Sequence, residues 1–180
     1  MKVYTRKGDD GTTGLLYGGR VHKDDLRTDA YGTTDEACSA LGMARAELAG
    51  GEWHDEILRV QRELFVVGAQ LATHVDHWPQ LDGRVSRVVP EMVDELEARI
   101  DALTERYPLP KEFTVPGGSR GGAAIDLART IVRRAERMAV RMAREGLLPD
   151  ETPLRYLNRL SDYLFVLARA VEGGAHTPTR

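Results

Sequence analysis

The chain has 180 residues, of which 42% are hydrophobic and 29% charged, a composition typical of one globular domain. Its formal net charge of −3 argues against general nucleic-acid binding, which usually requires an excess of basic residues. No apolar run approaches the roughly 20 residues of a membrane span, and the charged N-terminus does not resemble a signal peptide. The single cysteine, Cys38, cannot form an internal disulfide, so we expect a cytoplasmic protein that binds neither nucleic acid nor membrane.

The first half of the chain begins with a glycine-rich stretch and continues with two predicted helices. Residues 1–32 lack helical periodicity, which predicts an irregular N-terminal segment. Thr33 and Glu36 have the spacing of a capping box, so a first helix is predicted over about 34–49. The spacing of apolar residues predicts a second helix over about 53–74.

The second half carries the signals of three further helices. Pro90 can begin the third helix, and a glycine pair at 121–122 precedes the fourth. The pair Thr152-Pro153 has the residue types of an N-cap and a first helical turn, which predicts the start of the fifth. Residues 75–89 form the main irregular connection.

These elements predict an all-α fold. We expect an up-and-down bundle of about five helices over residues 33–174, preceded by the irregular glycine-rich segment. The length favours one domain over residues 1–180.

The predicted fourth helix carries charged side chains on one face. At about 100° per residue, a single sector holds Asp126, Arg129, Arg133, Glu136 and Arg137. Apolar residues lie on the opposite side, so this row is predicted to point away from the core. Guanidinium groups in a row suit a polyanion such as a nucleotide triphosphate, and a solvated charged face is the alternative.

Two glycine clusters could approach a ligand closely. The segment 5–14 could turn backbone N–H groups toward an anion, although it lacks the closing Gly-Lys-Ser or Gly-Lys-Thr of a Walker loop. The cluster 117–122 leads directly into the arginine-rich helix, where it could let a bulky ligand approach the backbone. Phe113, just before that cluster, would ordinarily be assigned to the core.

The fifth helix carries a polar row, and the connection before the third helix carries two histidines. The row shares a sector with Phe165 and contains Arg155, Asn158, Asp162 and Arg169. Such a face indicates either solvent or a second subunit. His74 and His77 could share a metal, but no third ligand has a matching spacing, so no metal site is predicted.

Three separated motifs, taken together, resemble one enzyme family. They are YTRKGDDGTTGL with GGRVHKDD and YGTTDE, then VPGG followed by LARTIVRRAER, then YLNRLSDYLF. In this order they resemble the PduO-type ATP:cob(I)alamin adenosyltransferases, also called corrinoid adenosyltransferases. The resemblance implies a helical bundle that forms a homotrimer with nucleotide sites between neighbouring subunits. It also implies transfer of the 5′-deoxyadenosyl group of ATP to the cobalt of cob(I)alamin, which gives adenosylcobalamin and triphosphate.

The resemblance further implies roles for individual residues. One subunit would wrap ATP with Thr5, Arg6, Lys7, Gly8, Thr13, Gly14 and Lys23. The site would be completed by Arg133, Arg134, Glu136, Arg137 and Asn158. Glu136 and Asn158 would orient the nucleotide, Arg133 would also act in catalysis, and Mg²⁺ would assist the phosphates.

Three further residues are assigned to the corrinoid side by the same resemblance. Asp35 would pair with Arg129 across the subunit interface, and Phe113 would press on the lower face of the corrin and displace its axial base. A cobalt without that ligand is easier to reduce to Co(I). The tail after Gly174 is short, and we expect it to lack residues that close over the corrinoid in some family members.

Two other classes of protein compete with this interpretation. A non-catalytic bundle that binds nucleotide or polyphosphate would keep the arginine row but would need neither Phe113 nor Asp35. A ferritin-like di-iron protein would carry Glu-x-x-His pairs, and none of the 5 histidines has a glutamate three residues before it. The resemblance also predicts a supplying reductase and an adenosylcobalamin-dependent mutase as possible partners.

Overall fold

The computed structural model describes residues 3–179 and confirms the all-α fold. The α-helices of this part are α1 Leu26–Glu47, α2 Trp53–Leu71, α3 Pro90–Arg106, α4 Arg120–Arg144 and α5 Thr152–Val171. A short 3-10 helix, Val75–Gln80, lies within the connection before α3. The short strands are β1 Thr12–Gly14, β2 Arg20–His22, β3 Thr114–Val115 and β4 Thr177–Pro178.

Helix α4 lies between α1 and α5 and packs against both, while α2 packs on α1 and α3 packs on α5. Helices α1 and α4 run antiparallel, because Glu36 pairs with Arg134 near their middles while Leu48, just past α1, contacts Gly121 at the start of α4. Their facing sides are mostly apolar and buried, which forms one continuous core. None of the helices in residues 3–179 is long and apolar enough to span a membrane.

Helix α1 begins at Leu26, so the predicted start near residue 34 is wrong. The carboxylate of Asp25 accepts a hydrogen bond from the Arg27 backbone N–H at 2.8 Å and caps the helix there. Thr33 lies inside the helix, where its hydroxyl donates to the Asp29 carbonyl at 2.7 Å. The capping-box spacing was therefore fortuitous.

Arg27 anchors the start of α1 to the rest of the bundle. Its side chain is buried and donates to the backbone carbonyls of Thr73 at 2.9 Å and Leu147 at 3.1 Å. Burial lowers the pKa of the Arg27 guanidinium, since the charged form loses contact with water. These bonds connect the start of α1 to the segment that follows α2 and to the segment that follows α4.

The glycine-rich N-terminal segment is more regular than predicted. Strands β1 and β2 pair as an antiparallel hairpin, with Thr12 opposite His22. The backbone N–H of Leu16, in the turn, donates to the Ala72 carbonyl just past α2 at 3.0 Å. The hairpin is thus attached to one end of the bundle.

Three predicted boundaries shift by a few residues. Helix α2 ends at Leu71 rather than 74, and α4 begins at Arg120, so the glycine pair 121–122 lies in its first turn instead of before it. The hydroxyl of Ser119 caps α4 by accepting from the Gly122 N–H at 3.0 Å. Thr152 is the first residue of α5 and not its N-cap.

Helix α5 is buried on nearly every side. The hydroxyl of Tyr156 donates to Glu63 at 2.5 Å, and the hydroxyl of Tyr163 donates to Glu56 at 2.9 Å. Burial and the adjacent Glu63 carboxylate raise the pKa of Tyr156 well above its usual value. Polar contacts of this kind fix the rotation of α5 and hence the direction of its opposite face.

Candidate functional site

Three cavities follow one another along α4 and α5. The central one, about 570 Å³, lies between α3, α4 and α5. A cavity of about 490 Å³ shares Arg129 and Phe165 with it, and a third of about 440 Å³ shares Glu97 and Arg159. We call these three cavities together the α4–α5 trough.

Most of the predicted arginine row faces this trough or solvent. Arg133 lines the central cavity, is exposed, and has no carboxylate partner within residues 3–179. Arg137 is also exposed, and its guanidinium donates to the Arg133 carbonyl at 3.0 Å. Arg134 instead forms an ion pair with Glu36 on α1. Arg133 and Arg137 therefore remain available for an anionic ligand in the described protomer.

Asp126 does not belong to the outward row, so that prediction is wrong. It is 3% exposed, and its carboxylate accepts from Arg169 at 2.7 Å and from Arg129 at 3.0 Å. Arg169 was predicted on the polar row of α5 that faces solvent or a second subunit, but it is 2% exposed and joins the same buried network. Each buried charge has a partner of opposite sign, which offsets the cost of removing it from water.

The pair of Glu136 and Asn158 joins α4 to α5 at the rim of the trough. The amide nitrogen of Asn158 donates to a Glu136 carboxylate oxygen at 2.8 Å. Both residues line the third cavity. The structure thus brings together two residues that the resemblance assigns to orienting the nucleotide.

Phe113 is 87% exposed, so the ordinary assignment of an aromatic residue to the core does not hold here. It lines the second cavity and directly precedes β3, which pairs antiparallel with β4 from the C-terminal tail. The Phe113 carbonyl accepts from the Thr179 N–H at 3.1 Å. The tail after Gly174 thus holds the segment that presents this aromatic ring.

The N-terminal residues predicted to wrap ATP are brought together around the hairpin. Thr5, Arg6 and Lys7 are exposed, and the Lys23 side chain lies so close to Gly8 that an added Cβ would be 3.3 Å from its amino nitrogen. Thr13 and Gly14 belong to β1.

Arg20 braces this loop, although no prediction singled it out. Its guanidinium donates to the Lys7 carbonyl and to the Thr12 hydroxyl. Hydrogen bonds from the N–H and hydroxyl of Thr12 lower the pKa of Asp10. The Gly18-Gly19 pair before Arg20 is a hairpin signal that could have located this contact.

The N-terminal loop and the exposed α4 arginines make no polar contact with each other in the described part of the protomer. No hydrogen bond or ion pair in the described part of the chain joins residues 5–23 to Arg133 or Arg137. Asp35 is exposed on a groove between α1 and α2, beside Phe65, whereas Arg129 faces the trough. Within the described protomer, the residues predicted to form one site lie in two groups that share no hydrogen bond or ion pair.

The two histidines before α3 make local contacts. His74 accepts from the Asp76 N–H at 3.4 Å, and a ring nitrogen of His77 lies 3.0 Å from the Gln80 side-chain amide. Within residues 3–179, no group of three or more histidine, cysteine or acidic side chains could hold a metal ion.

Comparison with known proteins identifies the family. Residues 3–171 match the sequence profile described as cobalamin adenosyltransferase. The chain belongs to the cobalamin adenosyltransferase family. It is 46% identical over 175 residues to a corrinoid adenosyltransferase of Bacillus subtilis, covering 95% of this chain and 86% of that one. A corrinoid adenosyltransferase of Citrobacter freundii is 43% identical over 95% of both chains.

A solved structure extends the likeness of this cobalamin adenosyltransferase family member to three dimensions. A variant PduO-type ATP:corrinoid adenosyltransferase from Lactobacillus reuteri, complexed with cobalamin and ATP, superimposes with a TM-score of 0.89 at 32% identity. The match covers 99% of this chain and 97% of that one. The family resemblance stated from the sequence motifs is therefore confirmed.

Proposed function

We propose that this chain transfers the 5′-deoxyadenosyl group of ATP to the cobalt of cob(I)alamin and releases triphosphate. The observation that carries the proposal is the α4–α5 trough, where the guanidinium of Arg133 lies in one cavity and the exposed ring of Phe113 lies in the next. One end is suited to an anionic leaving group and the other to a large planar ligand. Family membership supports the same reaction.

The chemistry explains which protein groups are needed. Cobalt(I) supplies an electron pair to the 5′-carbon of ATP, the cobalt–carbon bond forms, and the carbon–oxygen bond breaks with its electrons passing to triphosphate. Because the cobalt is itself the nucleophile, no serine, cysteine or histidine nucleophile is required. The protein then has to align two substrates and stabilise the charge that develops on the leaving group.

We assign the triphosphate to Arg133 and Arg137 of α4, which form no ion pair within residues 3–179. Arg133 and Arg137 are exposed, whereas the charge of Arg134 is offset by Glu36. Glu136 and Asn158 would orient the nucleotide, and Mg²⁺ would assist the phosphates. The N-terminal residues of a neighbouring subunit would close over the ATP.

We propose a homotrimer because each protomer carries both halves of the site without joining them. The groove that holds Asp35 also exposes Phe65, which is 68% accessible and suited to covering by a second copy. In that arrangement Asp35 of one copy would reach Arg129 of the next. The fold and the separation of the two halves support this assembly.

Phe113 is assigned to the lower face of the corrin. An aromatic ring that is 87% exposed has little role in packing, and its exposure leaves it free to press on a ligand and displace the axial base. Loss of that base makes Co(II) easier to reduce. Together, Phe113, Arg129, Asp35 and Arg133 would form the catalytic set.

We place the reaction in the cytoplasm. Cob(I)alamin must be generated by an electron donor, which we take to be a cellular reductase, and an adenosylcobalamin-dependent mutase would receive the product. The single cysteine, which cannot form an internal disulfide, is consistent with a reducing compartment.

Substituting Arg133→Ala removes a guanidinium from the proposed triphosphate site. A charge-assisted hydrogen bond is worth about 1.5 to 3 kcal/mol, so ATP binding should weaken about ten- to a hundredfold while the fold survives. Isothermal titration with ATP measures this change. The matched control is Arg141→Ala, on the same helix, whose side chain is 67% exposed and bonded to Glu145. Equal ATP affinities in the two variants would indicate that the charged face of α4 is only solvated and does not bind the triphosphate.

Sedimentation should give three times the mass of one chain. Co-expression of Lys23→Ala with Arg133→Ala tests whether sites form between subunits. If the two variants assort at random, about one quarter of the sites would contain both intact residues. Activity should then be far above that of either variant alone. A monomer with full turnover, or no gain on co-expression, would contradict an intersubunit site.

Phe113→Ala should separate two steps that the intact protein performs together. Because the ring is exposed, we expect unfolding stability to change by less than the roughly 3 to 5 kcal/mol of a core truncation. ATP binding should stay near normal. Turnover from cob(II)alamin with a biological reductant should fall, and turnover from supplied cob(I)alamin should fall much less. Equal losses in both assays would remove Phe113 from the mechanism.

A further inference from the structure

Arg169 lies at the meeting point of the segments that carry Phe113 and Arg129. Its buried guanidinium donates to Asp126 on α4 at 2.7 Å, to the Thr114 hydroxyl on β3 at 3.0 Å, and to Glu172 at 3.0 Å. Thr114 directly follows Phe113 in the chain. The arginine thus anchors the strand that presents the exposed ring.

Asp126 extends this connection to Arg129. One of its carboxylate oxygens binds Arg169, and the other accepts from the Arg129 guanidinium at 3.0 Å. Both guanidinium groups also lie by the ring of Phe165, at 5.6 Å for Arg169 and 6.0 Å for Arg129. A continuous set of contacts therefore runs from β3 to the guanidinium that lines two cavities of the trough.

The position of Phe113 depends on such anchors because packing does not fix it. The ring is 87% exposed, and β3 contains only 2 residues. The segment is held on one side by the backbone pairing with β4 and on the other by the bond from Arg169 to Thr114. Because the Phe113 side chain makes few packing contacts, its position depends on the backbone segment that carries it.

We propose that Arg169 and Asp126 are a positioning pair that sets the place of Phe113 relative to Arg129. Asp126 lies on the wall of the second cavity but is only 3% exposed, and Arg169 is buried and lines none of the three cavities, so neither residue is proposed to bind a substrate. The pair acts on the displacement of the axial base and not on ATP binding. This inference rests on the function proposed above for Phe113.

Thr114→Val is the most selective test. The substitution keeps the shape of the side chain and removes the hydroxyl that accepts from Arg169, while the bonds to Asp126 and Glu172 remain. Thr114→Ser keeps a hydroxyl at this position and should therefore preserve the normal fraction of base-free cob(II)alamin. Arg169→Lys is a second variant, because an ammonium group cannot reach all three partners at once.

Arg27→Lys is the matched control. Arg27 is also 2% exposed and donates to backbone carbonyls, but it lies at the start of α1 and outside the trough. Its substitution should lower stability without moving Phe113. Phe113→Ala serves as the reference for complete loss of the ring.

The readout is the electron paramagnetic resonance spectrum of cob(II)alamin bound with ATP, which reports whether the axial nitrogen remains on cobalt. We expect Thr114→Val and Arg169→Lys to lower the ratio of base-free to base-bound cob(II)alamin about fivefold, the order expected for one lost hydrogen bond. Thr114→Ser and Arg27→Lys should match the unsubstituted protein. ATP affinity should be unchanged in all of them.

The possible failures are distinguishable. If Phe113→Ala loses the base-free form and Thr114→Val keeps it, the positioning role is overturned and the proposed function stands. A shift of equal size in Arg27→Lys would also overturn it, since general destabilisation would then explain the result. If Phe113→Ala itself keeps the base-free form, the role proposed for Phe113 fails, and this inference fails with it.

Discussion

The buried ion pair between Asp126 on α4 and Arg169 on α5 determines the arrangement of the site end of the bundle. A guanidinium nitrogen of Arg169 and a carboxylate oxygen of Asp126 are 2.7 Å apart, and each side chain is 3% exposed. Removing one partner of such a pair would leave an uncompensated charge in a region with little water, which typically costs several kcal/mol. The pair joins the two helices and, through the bond from Arg169 to Thr114, also β3, and we propose that Phe113 and Arg129 depend on it for their positions.

The neighbouring contacts reinforce the same arrangement. Glu172 binds Arg169 with one oxygen and accepts from the Ser119 N–H with the other at 3.2 Å, which joins the end of α5 to the start of α4. On the opposite side of α5, Tyr156 and Tyr163 are bound to carboxylates of α2. Helix α5 is therefore held by contacts on two sides. The side chains that it contributes to the trough include Asn158, Arg159 and Phe165.

Much of the fold could be predicted from the sequence, because its signals are local. Pro90 begins α3 as expected, and the third to fifth helices were placed within a few residues by proline, glycine and apolar spacing. Helix α1 starts earlier than predicted because the glycines before residue 33 favour irregular backbone, whereas the Asp25 cap begins the helix at Leu26. Strands of 3 residues are too short to show alternation, so the Gly18-Gly19 pair is the clearest local signal of the hairpin.

The errors at the site have a common physical cause. Helical periodicity places Cα atoms in a sector, but long charged side chains reach the partners that their surroundings offer. Asp126 and Arg169 were therefore predicted outward and are buried together. The ordinary assignment of an aromatic residue to the core does not hold for Phe113, because it directly precedes β3, which pairs with β4, and its side chain is exposed. Roles that require a neighbouring subunit or bound substrates lie beyond what one chain's sequence pattern specifies physically.

The central claim concerns the bond in ATP that breaks. The purified protein should be mixed with Mg²⁺, ATP and chemically reduced cobalamin, and both products should be followed together, adenosylcobalamin by absorbance and the phosphorus products by nuclear magnetic resonance. We expect one intact triphosphate for each adenosylcobalamin formed. Binding of ATP without adenosylcobalamin, or cleavage to ADP and phosphate, would contradict the account and favour a nucleotide-binding bundle without this activity.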